Sequence, residues 1–420
     1  MFQSPRAARL VMLIGSAGIA SALVVGCASG EQETRSAAPA VEQESAPTLP
    51  AGEPWVVSVG DSIISGEAGR WAGNQTLSTS GIDALGASAY ADGPNGESIA
   101  RCHRSKSAAI HIGDAQSVNL ACSGAMTATA VDSSGNFKPG IDFFVEGGRK
   151  GQALLLQEFA TEHRVELVAL SIGANDFRYG PIIEACVKAY LAPSIFGTYC
   201  KDDDATSGNV SNSAADQVRA DTTTAILNIA TAMENAGYQD LDWTLGLQLH
   251  PNLIAGPDQM RYPESGYGRQ LKGGCGFRDK DLAWWATDTV MPLINRTLTQ
   301  AAAAAQQDRP SLQVVTVDAS DAFAGRTLCH KGVHRVGDDK GANSWTDGDA
   351  ADISEWAMEI NIVNPKDTFQ QESMHPNYWG QMALRSCWRQ AWNGGDVRGG
   401  TCQRDGTGLN ERGEPNMRLS

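Results

Sequence analysis

Five short runs, at 55–59, 117–121, 167–172, 243–249 and 312–317, are each about the length of a strand and mostly apolar on both faces. Runs of strand length with that pattern predict strands covered on both faces, as in a buried parallel sheet. Between several of them apolar residues recur at helical spacing, over 152–162, 214–236 and 281–307, with Gly237 placed to stop the second of these helices. A last helix is expected at 377–392, directly after Pro376. This alternation predicts a doubly wound α/β fold around a parallel, five-stranded sheet. Segments 63–110, 126–150, 178–212 and 318–370 are rich in Gly, Ser, Asp and Asn and read as long loops.

The two ends of the chain differ from its centre. Arg6 and Arg9 precede an apolar run at 10–25 that closes in Val24, Val25, Gly26 and Cys27, the pattern of an export signal over 1–26. The Val-Val-Gly-Cys ending resembles a bacterial lipobox, which implies cleavage before Cys27 and acylation of that residue as a membrane anchor. An ordinary signal peptide or an uncleaved anchor are the alternatives. Residues 27–53 carry five Glu with Pro, Ala and Ser and only Val41 and Leu49 as large apolar residues, so they are expected to be a disordered tether. The folded domain is then 54–402, and the polar stretch 403–420 is expected to fray.

Charge and cysteine count narrow the function classes. The chain has 33 Lys plus Arg against 48 Asp plus Glu, and losing 1–26 would move its formal charge from −15 to −17. Such a surface leaves no basic stripe for a nucleic-acid backbone, so no nucleic-acid partner is expected. Without Cys27 the nine cysteines become eight, an even number in an oxidising compartment, which predicts four disulfides. Their neighbours along the chain suggest Cys102 with Cys122, Cys186 with Cys200, Cys275 with Cys329 and Cys387 with Cys402, each closing a local loop. No dinucleotide or phosphate-loop fingerprint follows a predicted strand, so no cofactor is implied.

Open α/β sheets bind ligands beyond the carboxyl ends of their strands, which directs attention to the residues after each run. The first run yields Gly60, Asp61 and Ser62, the second Cys122, Ser123 and Gly124, and the third Gly173, Ala174, Asn175 and Asp176. Glu372, Ser373, Met374 and His375 precede the last helix. A Ser after a buried strand and a Gly sits at a tight turn, its hydroxyl at the top of the sheet among backbone NH groups.

Taken in order, Val-Ser-Val-Gly-Asp-Ser at 57–62, Leu-Ala-Cys-Ser-Gly-Ala at 120–125, Ser-Ile-Gly-Ala-Asn-Asp-Phe at 171–177 and Glu-Ser-Met-His-Pro-Asn at 372–377 resemble the four blocks of the SGNH hydrolases, the GDSL esterases and lipases. Cys102-His103-Arg104-Ser105 is similar to a stretch of secreted actinobacterial members. The resemblance implies a three-layer α/β/α, flavodoxin-like fold with long disulfide-braced loops, and a secreted serine esterase or lipase. It assigns Ser62 as nucleophile and His375 as base, with the oxyanion held by the NH groups of Ser62 and Gly124 and the amide of Asn175. The residue three before the base is usually Asp in this family and is Glu372 here. Either its longer side chain orients His375, or a backbone carbonyl does.

The implied partners are a lipid or acylated-glycan ester and, through Cys27, a membrane; a monomer is expected. A non-catalytic surface lipoprotein binding envelope glycans or lipids in the same cleft, and an acyltransferase using the same residues, are the alternatives. An α/β-hydrolase is disfavoured because Gly-x-Ser-x-Gly is absent from the sequence. Asp61 and Asp176 are read as structural acceptors of turn and loop NH groups. His103 and His250 rival His375, His330 and His334 read as loop residues rather than zinc ligands, and Trp71, Phe177, Tyr179 and Trp379 lie close to the motif blocks.

Overall fold

A computed structural model describes residues 49–76, 82–193, 198–336, 344–361 and 371–420. The export signal at 1–26, Cys27 and nearly all of the tether fall outside the described residues. Among those described, no helix is long and apolar enough to cross a membrane.

The described residues open with strand β1 (Trp55–Gly60) and the one-turn helix α1 (Ser62–Ser65), and return to the sheet in β2 (Gln116–Asn119). Two small hairpins follow, β3 (Ala130–Val131) with β4 (Phe137–Lys138) and β5 (Val145–Glu146) with β6 (Arg149–Lys150). Next come α2 (Gln152–Glu162), β7 (Val165–Ser171), α3 (Tyr179–Leu191), α4 (Asp204–Gly208), α5 (Asn212–Asn235) and β8 (Thr244–Gln248). The second half holds α6 (Gly268–Leu271), α7 (Asp279–Ala283), α8 (Val290–Asp308), β9 (Val314–Asp318), α9 (Gly348–Ile353), α10 (Tyr378–Trp392), β10 (Gly400–Leu409) and β11 (Pro415–Leu419).

All five expected strands are present, but among the described residues the sheet has seven, in the order β11-β10-β9-β8-β7-β1-β2. Every neighbouring pair is parallel except β10 with β11. From β1 the chain steps outward to β2 and then crosses back to β7, so the order reverses between β1 and β7. The carboxyl ends of those two strands therefore flank the crevice where such sheets place their ligands. Helices α2, α5 and α8 pack side by side, while α10 covers β9, β10 and β11. Trp388 of α10 seats over Gly246 of β8, where a Cβ would come within 2.7 Å of its ring. The architecture is thus the expected α/β one, with helical layers and a parallel-dominated sheet.

The two extra strands correct the expectation of a frayed tail at 403–420. Met417 and Leu419 alternate with polar neighbours and are buried, Cys402 is bonded to Cys387, and Gln390 of α10 binds Met417 O and Leu419 N. This hairpin covers the edge that β9 would otherwise expose. The period-two pattern of residues 415–419 was legible, but its short length and polar surroundings hid it.

Segment 178–212 is also corrected from loop to helix over α3 and α4, because Tyr179, Ile183, Val187 and Leu191 recur every four residues. The single helix expected at 281–307 is instead α7, a π turn at Trp284–Asp288 and α8. The break lies at Thr289, three residues before Pro292, whose ring removes a helical donor. All four disulfides join the expected neighbours: Cys102–Cys122, Cys186–Cys200, Cys275–Cys329 and Cys387–Cys402.

Candidate active site

At the end of β1 the backbone turns at Gly60 with φ near +133°, and a Cβ there would stand 1.9 Å from Ser171 O of β7. Only glycine permits that approach. The wholly buried side chain of Gln152 fastens the turn, accepting from Gly60 N at 2.6 Å and donating to Gly60 O at 2.9 Å. Asp61 then caps α1, its Oδ1 accepting from Ile63 N at 3.1 Å and from Ser171 Oγ at 3.2 Å. Ser62 is the first residue of α1, so its NH is one of those a helix leaves without an internal partner.

The second and third blocks meet beside it. Gly124 adopts φ near +79°, the left-handed turn that glycine favours. Asn175 Nδ2 donates to Ala125 O at 2.9 Å, which uses one amide hydrogen and leaves the other. Asp176 accepts from Thr127 N at 3.2 Å and from Thr127 Oγ1 at 2.7 Å, locking one block to the other. Ser62, Gly124, Asn175 and His375 all line one cavity of about 530 Å³.

His375 reaches this wall from the far end of the chain. Its Nε2 lies 2.7 Å from Ser62 Oγ, and its Nδ1 lies 2.9 Å from Ser373 O. A carbonyl can only accept, so Nδ1 carries the proton and Nε2 is the acceptor facing the serine. The segment is pinned to residues 356–358: Met374 N donates to Met358 O, Met358 N to His375 O, and Asn377 N to Trp356 O. Met374 itself is held at φ near +55°, a left-handed conformation costing a non-glycine residue on the order of 1 kcal/mol or more. Burial pushes the His375 imidazole below its ordinary value, with the Glu67 charge and the Ser373 carbonyl pulling the other way.

The Glu372 carboxylate does not orient the imidazole. It is engaged elsewhere, accepting from Trp71 Nε1 at 2.8 Å and from Tyr90 OH at 2.6 Å, while Nδ1 donates to Ser373 O. The physical reason is the extra methylene and the two strong donors from the 63–110 loop. Burial, and then the neighbouring charge of Glu67, push the Glu372 carboxyl up to about 7. Behind it, burial would also raise Glu67, but His103 opposes this through its charge and hydrogen bonds, and with His375 and Ser123 holds Glu67 down at about 2. His103 Nδ1 stands 2.8 Å from both Glu67 oxygens, and its ring stacks on Tyr90 at 4.3 Å. His103 is therefore committed to Glu67.

The remaining candidates separate cleanly. His250 lines the cavity and is buried, with Nε2 at 3.4 Å from Ile172 O and 3.6 Å from Asp61 Oδ2. Burial pushes it down to about 4, so it faces Asp61 as a neutral ring. Phe177 and Trp379 are core residues, whereas Tyr179 lines the cavity. His330 lies in a turn and takes Gly332 N on its Nδ1 at 2.9 Å. Among the described residues no group of three or more His, Cys, Asp or Glu is placed to hold a metal ion.

Three residues escaped the sequence reading: Gln152, Glu67 and Gln371. Gln371 Nε2 donates to Ser123 Oγ at 2.8 Å and to Glu67 Oε2 at 3.0 Å, tying the histidine arm to the second block. No local pattern marks them, because each acts on a residue far away in sequence.

No family model matches the chain, and no curated protein does. Among solved structures it is similar to an extracellular lipase from Streptomyces rimosus, at 16% identity over 80% of this chain and 98% of the other, with a TM-score of 0.35. It is also similar to phospholipase A1 from Streptomyces albidoflavus NA297, at 14% identity over 79% and 95%, with a TM-score of 0.38. A salicylyl-acyltransferase from a tetracycline biosynthetic pathway matches at 11% identity over 81% and 54%, with a TM-score of 0.30. At these scores none of the three bears on what the chain does, and the chemistry rests on the cavity itself.

Proposed function

We propose that the chain is an exported serine ester hydrolase of the SGNH type, tethered to a membrane through an acylated Cys27. The observation that carries the reading is the 2.7 Å approach of His375 Nε2 to Ser62 Oγ. Ser62 Oγ attacks the ester carbonyl while His375 Nε2 takes its proton, and the Nδ1–H donated to Ser373 O holds the ring and its tautomer. The NH groups of Ser62 and Gly124 and the free hydrogen of Asn175 Nδ2 receive the oxyanion. His375 then returns the proton to the departing alcohol, and water hydrolyses the acyl-enzyme by the same steps. A depressed imidazole pKa favours this reading, because the base must be neutral at working pH.

The same contact argues against a non-catalytic binding protein, which has no use for an aligned base. The test is turnover of p-nitrophenyl acetate by the wild type and by Ser62→Ala, with a serine-reactive phosphonate as a second probe. Loss of turnover and of labelling in the variant is expected. Equal rates in both proteins would sink the assignment.

A further inference from the structure

Helix α3 begins four residues after Asn175 and presents two adjacent rows to the cavity. One row is Tyr179, Ile183, Val187 and Leu191, each four residues from the last and therefore on one face; beside it run Gly180, Glu184 and Lys188. Glu184 and Lys188 are exposed and pair with each other at 2.6 Å, so the second row is a charged lip while the first is an apolar floor. Ile63 and Ile360 stand among the other lining residues. At about 1.5 Å per residue the floor runs roughly 18 Å from the oxyanion side outward. One leaflet of a bilayer, half of a hydrocarbon core about 30 Å thick, is roughly 15 Å deep.

We propose that this groove is the acyl site and that the substrate is an ester of one unbranched long-chain fatty acid, with Val187 and Leu191 setting the length accepted. The proposal rests on the ester-hydrolase reading and names its substrate class. The helix that forms the wall is braced from behind. Cys186 bonds α3 to Cys200, whose amide donates to Asp281 at 3.2 Å. Tyr190 OH donates to Gly266 O at 2.9 Å, and Arg278 donates to Ala189 O and Ala192 O at the end of the helix. A wall fixed from behind loses little entropy when a chain lies along it. A short acyl group would leave most of the floor wet, whereas Ile183, Val187 and Leu191 themselves offer a chain apolar contact.

The experiment is the kcat/KM series for p-nitrophenyl esters from acetyl to palmitoyl, using the wild type, Val187→Trp and Leu191→Trp. The wild type should favour dodecanoyl or longer over acetyl by at least about tenfold, since each buried methylene is worth up to about fourfold. Val187→Trp should cut the dodecanoyl-to-acetyl ratio by about tenfold or more, and Leu191→Trp should penalise only the longest chains. A flat or falling wild-type series, or variants that keep the wild-type profile, overturns the groove. Binding of dodecanoate to Ser62→Ala, measured by calorimetry, reads the groove without the chemistry. Dodecanoate should bind at least about a hundredfold tighter than butyrate, and equal affinities overturn the proposal. An enzyme that fails on every ester but still shows this binding refutes the hydrolase reading and not the groove.

Discussion

Ser62, Gly124 and Asn175 stand just beyond the ends of β1, β2 and β7, whereas His375 comes from the segment before α10, far along the chain from β9. The first wall is fixed by strand register and short turns: Gly60 against Ser171, Asp61 capping α1, Asp176 on Thr127. The second is an arm hung on residues 356–358 and on Gln371. Glu67 and Glu372, both buried behind that arm, mark the contrast in electrostatics. Glu67 meets a histidine with both oxygens and stays ionised, while Glu372 meets two neutral donors and is driven toward its protonated form. Similar burial thus gives shifts in opposite directions, down where a histidine pairs with the carboxylate and up where neutral donors and the Glu67 charge face it.

The largest effect should come from severing arm from wall. His375→Ala is expected to lower kcat by about four to six orders of magnitude with the fold intact, read by single-turnover kinetics on p-nitrophenyl acetate. A loss under about a hundredfold would mean that another group takes the serine proton. On the wall side, Asn175→Ala should lower kcat by about two to three orders of magnitude with little change in KM, since one oxyanion donor is removed. A rise in KM alone would move Asn175 from transition-state to ground-state binding.

The pH dependence follows from the buried base. Because His375 sits below the ordinary imidazole value, the acid limb of kcat/KM should have its midpoint below about 6.5. A midpoint above that value would show that the Glu67 charge outweighs burial.

The wall was far easier to read from sequence than the arm. Apolar runs followed by Gly-Asp-Ser, Ser-Gly and Gly-Ala-Asn-Asp carry strand, turn and chemistry within a few residues, so local rules reach them. His375 was legible only through its motif, and its orienting group was not. Whether Glu372 or a carbonyl faces Nδ1 depends on Trp71 and Tyr90, which approach from some 300 and 280 residues away. The β10–β11 hairpin was missed for the opposite reason: its pattern is local, but it is stable only because α10 and β9 are there to receive it.

The smallest effects test Glu372 directly. If the Ser373 carbonyl orients the ring, Glu372→Gln should change kcat by less than about tenfold, against roughly ten-thousandfold where a carboxylate partner holds the base. Its signature should lie in stability instead. With a folded value of about 7 against an ordinary 4.5, the native state keeps a proton that the unfolded chain has already released. Raising the pH through that window therefore destabilises the fold, by up to about 1.4 kcal/mol per pH unit. Asp61, Glu355 and Glu359 are raised by burial as well and tilt stability the same way, so the informative quantity is the difference between wild type and variant. Thermal midpoints at pH 5 and pH 7.5 should fall more for the wild type than for Glu372→Gln. Parallel profiles would mean that Glu372 is ionised in the native state, and the contrast with Glu67 would then lie in geometry and not in charge.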